Sequence, residues 1–170
     1  MPRQNSNADT LLFIMRHGEA ESLRVDDKSR QLTEFGRAQV SVTANWLIDK
    51  YCEDRQVDLA LVSPYRRARQ TFDMLSLDLS AGKSESCDDV VPEGNPAMAH
   101  DYVDTLLNAH SGRGHQINRM LLVSHMPFVS YFLDEVCTIP THSLFATASV
   151  AVVRYNIHKQ KGELVAHFQG

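Results

Sequence analysis

With 170 residues and a net charge of −4, the chain lacks the basic balance expected of a nucleic-acid module. Its composition, 43% hydrophobic and 22% charged, is that of an ordinary soluble globular protein, and its length suits one domain that buries its own core. No apolar stretch reaches the roughly 18 residues of a membrane span. Cys52, Cys87 and Cys137 are odd in number and far apart, so they offer neither a disulfide framework nor a CxxC pair and suit a reducing compartment. The polar start has no signal-peptide core, and the sequence therefore reads as a cytoplasmic protein with no membrane and no nucleic-acid partner.

Residues 1–10 read as a flexible tail and 11–170 as the domain. The run Leu11-Leu12-Phe13-Ile14 is too short for a typical helix and predicts a strand over 11–15 buried on both faces. Residues 18–31 form a charged loop. A helix follows with Thr33 as N-cap, and Val40, Ala44, Leu47, Ile48 and Tyr51 make its apolar stripe. Residues 58–62 predict a second strand. Ser63-Pro64 ends it, with Pro64 in the first turn of a helix that buries Ala68, Thr71, Phe72 and Leu75. Residues 78–89 read as loop and Val90-Val91 as a short strand. A helix over 97–110 turns Ala99, Tyr102, Val103, Leu106 and Leu107 inward, and a loop covers 111–115. Residues 120–123 predict a fourth strand, followed by a helix burying Val129, Phe132, Leu133 and Val136. Residues 148–155 and 163–168 read as a terminal hairpin turning near 159–162. This order predicts an α/β sandwich with a largely parallel sheet and helices on both faces.

An apolar run followed by a polar motif and a helix occurs three times, ending in Arg16-His17-Gly18, in Ser63-Pro64 with Arg66 and Arg67, and in Ser124-His125. In a parallel sheet all three motifs reach one edge, the edge where ligands bind. Gly18 lets the backbone turn away after the first of them. Guanidinium groups grip phosphate oxygens bidentately, and helix N-termini add N–H donors. The expectation is a phosphate site with His17 as a covalent nucleophile. No HxxxH or HExxH spacing occurs among the histidines, which argues against zinc.

Residues 13–19 (Phe-Ile-Met-Arg-His-Gly-Glu) resemble the opening of the histidine phosphatase superfamily, whose phosphoglycerate mutase branch shares the Arg-His-Gly core. Residues 30–33, 61–71 and 122–127 resemble its later blocks in the same order, and the likeness runs from about residue 11 to 153. The small size, without a large lid insertion, resembles the SixA branch of bacterial phosphohistidine phosphatases. The resemblance implies a phosphoglycerate mutase-like fold and a metal- and cofactor-independent enzyme. Its implied substrate is phosphohistidine on a histidine-containing phosphotransfer (HPt) domain of a sensor kinase or phosphotransfer protein.

Carried over by position, His17 becomes the phosphorylated nucleophile, Arg16 and Arg67 the phosphate-binding arginines, and His125 the second pocket histidine that stabilises the transferring phosphoryl group. Arg30 matches an arginine before the first helix that contacts substrate. Glu93 stands where the superfamily keeps a carboxylate to protonate an ester's leaving oxygen, although Gly94-Asn95 departs from that pattern. Ser63 and Ser124 read as turn residues that orient these groups, Ser63 being also a candidate phosphate contact. Arg66 and Arg69 form a solvated or substrate-facing cluster. His100, His110, His115, His142, His158 and His167 read as surface or loop residues. Two other readings stay open: a small-molecule phosphomonoesterase using Glu93, and a catalytically silent domain that binds phosphorylated partners.

Overall fold

The apolar runs become the centre of one six-stranded sheet. The computed structural model describes residues 9–22, 26–110 and 116–170. In chain order the elements are β1 (Asp9–Arg16), α1 (Glu34–Lys50), β2 (Gln56–Val62), α2 (Arg66–Leu75), β3 (Ser80–Ser86), α3 (Pro96–His110), β4 (Arg119–Ser124), α4 (Phe128–Val136), β5 (Val150–Asn156) and β6 (Lys161–Phe168). The sheet order is β3-β2-β4-β1-β5-β6; the first four strands are mutually parallel and the terminal hairpin is antiparallel.

Alternation along β1 divides the core in two. Leu12 and Ile14 pack with α3 and α4 residues such as Val103, Leu107, Phe132 and Leu133. Phe13 and Met15 pack on the opposite face with Val40, Ala44 and Leu47 of α1 and with Ala68 and Leu75 of α2. Each fully buried side chain of this size contributes about 1.5–3 kcal/mol relative to exposure. The sandwich thus has α1 and α2 on one face and α3 and α4 on the other.

The local expectations hold for several elements and shift for others. Thr33 caps α1, its hydroxyl accepting from the Gly36 N–H at 2.9 Å. β1 begins at Asp9 rather than Leu11, because Thr10 is buried and its hydroxyl donates to the Ile117 carbonyl. Residues 1–8 of the expected tail and the loop expected over 111–115 lie outside the described residues. Pro64 precedes the helix, with Tyr65 as N-cap and Arg66 as the first helical residue.

The third strand is not Val90-Val91 but Ser80–Ser86, within the expected loop. This edge strand pairs only with β2, and its small polar residues carry no apolar signal. Asp88–Val90 is a 3-10 turn that drops Val90 into the core.

His100 is another correction: it is buried rather than on the surface or in a loop. Its Nδ1 lies 3.0 Å from Glu135 Oε2 and its Nε2 lies 2.8 Å from the Tyr155 hydroxyl. That hydroxyl in turn donates to Asp104. The network ties α3, α4 and β5 together, and each member satisfies another that could not be left unpaired in a core. His167 lies half-buried on β6 against the Phe145 ring.

Candidate active site

The parallel strands bring the three polar motifs to one edge. Arg16 is in register with Ser124, the His17 N–H donates to the Ser124 carbonyl at 3.0 Å, and the Ser63 N–H donates to the Val123 carbonyl at 3.1 Å. On the other side of β1, the Ala148 N–H donates to the His17 carbonyl at 2.8 Å. Ala148 takes a left-handed φ of 61°, and the Thr43 hydroxyl holds its carbonyl at 2.7 Å. A left-handed alanine costs on the order of 1 kcal/mol, and here that strained residue fixes the backbone of His17.

Gly18 serves a purpose different from the expected turn. Its φ is not in the left-handed region; a Cβ on it would lie 2.7 Å from the Gly36 carbonyl oxygen. Gly36 is equally constrained, since its Cβ would lie 2.1 Å from the Glu19 carbonyl oxygen. The paired glycines let the loop after His17 lie directly on the first turn of α1. The Thr71 hydroxyl adds a clamp by accepting from the Gly18 N–H and donating to the Arg67 carbonyl.

His17 is 6% exposed. Its Nδ1 lies 2.7 Å from the Gly18 carbonyl oxygen. A carbonyl only accepts, so Nδ1 carries the proton and the neutral ring keeps its lone pair on Nε2. Arg67, also buried, donates to that atom through Nε at 3.3 Å. Burial, reinforced by the charges of Arg67, Arg16 and Arg30, pushes His17 down to about 3, while the bond to Gly18 acts the other way. The ring is therefore uncharged and nucleophilic at neutral pH.

The His125 ring meets the His17 ring with centroids 5.1 Å apart. Burial, then the neighbouring His17 and the same three arginines, holds His125 far below its ordinary value. Its Nε2 shares a 2.8 Å hydrogen bond with the Ser63 hydroxyl, which also accepts from the Tyr65 N–H. Ser63 is thus committed to orienting His125. Ser124 donates its hydroxyl to the Val90 carbonyl at 2.5 Å, tying the turn after β3 to the site.

Arg16 donates through Nη1 to the Phe145 carbonyl at 2.8 Å. Burial, reinforced by the charge of Arg67, lowers its pKa. Its Nε and the Nδ1 of His125 are buried polar atoms without a hydrogen-bond partner. Two arginines that disfavour each other's charge, together with two unpaired buried nitrogens, are what an oxyanion would satisfy.

Arg30 joins the cluster through Asp27, bonding its carboxylate at 2.9 Å, and also donates to the Glu21 carbonyl at 2.7 Å. Glu93 does not join it: the side chain is exposed and makes no hydrogen bond or ion pair with His17, His125, Arg16 or Arg67. Asp27 and Tyr65 are members that sequence reasoning missed. The Tyr65 ring lies 5.0 Å from the His125 ring and 5.1 Å from the Arg67 guanidinium carbon. Neither stands in a pattern that distinguishes it from a solvated loop residue. Among the described residues, no group of three or more His, Cys, Asp or Glu is placed to hold a metal ion.

The buried neutral rings make stability pH-dependent. Between about pH 6.5 and 3 the unfolded chain binds protons that the folded site refuses, so stability falls as pH falls through that window. One such ring contributes at most about 1.4 kcal/mol per pH unit. Melting curves for the wild type and His17→Asn should show the steeper loss of Tm in the wild type below about pH 6; parallel slopes would contradict the assignment.

A parallel sheet edge that presents an uncharged histidine among arginines makes this an α/β protein with a site suited to an oxyanion. Comparison with known proteins sharpens that class. Residues 12–89 match the model of the histidine phosphatase superfamily (branch 1). The chain is 35% identical over 146 residues to the phosphohistidine phosphatase SixA of Escherichia coli (strain K12), covering 84% of this chain and 83% of that protein. A phosphohistidine phosphatase SixA homolog of Haemophilus influenzae is 31% identical over 161 residues, covering 92% of this chain and 93% of the homolog. Among solved structures, the protein histidine phosphatase SixA complexed with tungstate superposes with a TM-score of 0.83 at 28% identity, covering 94% of this chain and 97% of that one. The chain belongs to the histidine phosphatase superfamily and is of the SixA type.

Proposed function

We propose that this chain is a protein phosphohistidine phosphatase in which His17 carries the phosphoryl group. The observation that supports this most is the tautomer of His17, with Nδ1–H held by Gly18 and the Nε2 lone pair set against Arg67. In the first step Nε2 attacks phosphorus, the N–P bond to the substrate imidazole breaks, and that ring leaves neutral when its other nitrogen carries a proton. Water then attacks phospho-His17, the P–N bond breaks, inorganic phosphate departs and Nε2 regains its lone pair. The two transfers need positioning and charge stabilisation more than covalent assistance, and Arg16, Arg67 and His125 supply these. Arg30 lies further out and is assigned to substrate contact.

An ester would leave as a strongly basic alkoxide that needs a general acid, whereas an imidazole has a conjugate-acid pKa of ~6.5. Glu93 is exposed and bonds no member of the cluster, which supports phosphohistidine over esters. No metal enters either step.

The substrate is assigned to an HPt domain. In support, Phe35, Met98 and Tyr131 are exposed apolar side chains in the first turns of α1, α3 and α4, and exposed Leu144 precedes Phe145, whose carbonyl holds Arg16. The three cysteines are free and buried, in keeping with a cytoplasmic location.

The test is phosphate loss from a purified phosphorylated HPt domain, with chelator present and an aryl phosphate ester run in parallel. Fast loss from the domain with slow ester cleavage is the expected result. The reverse preference would move the protein to ester chemistry, and loss of activity with chelator would overturn metal independence.

A further inference from the structure

Each nitrogen of the Arg67 guanidinium already donates one hydrogen bond, which leaves only the second N–H of Nη1 and of Nη2. Nε donates to His17, Nη1 to the Asp27 carbonyl at 2.8 Å, and Nη2 to the Asp27 carboxylate at 3.3 Å. The other oxygen of that carboxylate bonds Arg30 at 2.9 Å. Asp27 therefore stands where an anion is wanted, between two arginines of the cluster. It sits on a single 3-10 turn capped by Asp26, with its side chain 41% exposed, while that of Arg67 is only 4% exposed. The arginine is buried in the protein, and the carboxylate is the more exposed partner of the pair.

We propose that Asp27 is a built-in competitor for the phosphate position and a determinant of selectivity, whose carboxylate a phosphate must displace to take the Nη2 hydrogen bond of Arg67. This rests on reading the arginine cluster as the phosphate site. A small anion brings only its own oxygens to offset the lost Asp27 bonds. A phosphoryl group on a folded protein also gains contacts with the surface around the site, so it can displace the carboxylate where free phosphate does not. Asp27 thereby keeps the site from filling with product or with ambient phosphate. Its charge is secure: burial works to raise its pKa, but Arg67 and Arg30 outweigh that and lower it.

The probe is inorganic phosphate, titrated calorimetrically at fixed ionic strength near neutral pH into the wild type, Asp27→Asn and Asp27→Ala. Asparagine keeps the size and a carbonyl acceptor while removing the charge; alanine removes both. Loss of a partly exposed ion pair predicts phosphate binding about five- to tenfold tighter in Asp27→Asn and at least as tight in Asp27→Ala. Inhibition of turnover by phosphate should be stronger by the same factor in the variants than in the wild type. Unchanged or weaker binding in both variants, with the wild type binding phosphate, overturns the proposal and leaves Asp27 as a brace for Arg67. If no form binds phosphate, the phosphate-site reading itself has failed.

Discussion

His17→Asn is expected to abolish turnover of a phosphorylated HPt domain, by about 10⁴-fold or more, as the loss of a covalent nucleophile does elsewhere. The side-chain amide of asparagine can still donate to the Gly18 carbonyl, so that bond in the turn after β1 survives. What disappears is the ring nitrogen that the whole edge is arranged to present. The backbone of His17 is held by Ser124 on one side and Ala148 on the other, its Nδ1 is fixed by Gly18, and Gly18 itself rests on Gly36. That much backbone is committed to one side-chain orientation, and a variant with intact folding and activity within tenfold of wild type would contradict the nucleophile assignment.

The second large effect is at Arg67. Arg67→Lys keeps the charge but replaces a planar fork with a single ammonium, which cannot reach His17 and a phosphate oxygen together. Its expected loss is about 10²–10³ in kcat, close to that of Arg67→Ala. The helix should survive both changes, because α2 is anchored by Ala68, Thr71 and Leu75. Kinetic assays alongside circular dichroism decide it. A lysine variant with near-wild-type kcat would show that charge alone is needed and that the fork geometry is incidental.

How far the sequence could be read follows from where its signals were strong. The runs ending in Met15, Val62 and Val123 are continuous and apolar, and strands so buried can only lie central in a sheet. Their parallel pairing then brings His17, Ser63 and His125 together without further information. β3 was illegible for the opposite reason: an edge strand made of Ser, Gly, Lys and Glu is held by its backbone bonds to β2, which leave no mark on composition.

Glycine 18 was legible as special but not for its cause, since close approach to Gly36 is a contact across the loop. The buried role of His100 also depends on Tyr155 and Glu135, far along the chain. Within the site, the residues of fixed motifs were legible. Asp27 was not, because a carboxylate in a charged loop looks solvated until the fold sets two arginines against it. Glu93 shows the converse: a residue suggested by position alone is exposed and bonds no member of the cluster.

The account turns on one covalent intermediate. The most direct measurement mixes the enzyme with phosphorylated HPt domain, quenches in alkali within the first turnovers, and locates phosphate on the enzyme by mass spectrometry. The account predicts an acid-labile, alkali-stable phosphate on His17 in the wild type and none in His17→Asn. Phosphate on His125 instead, or an enzyme that turns over without ever carrying phosphate, would contradict it.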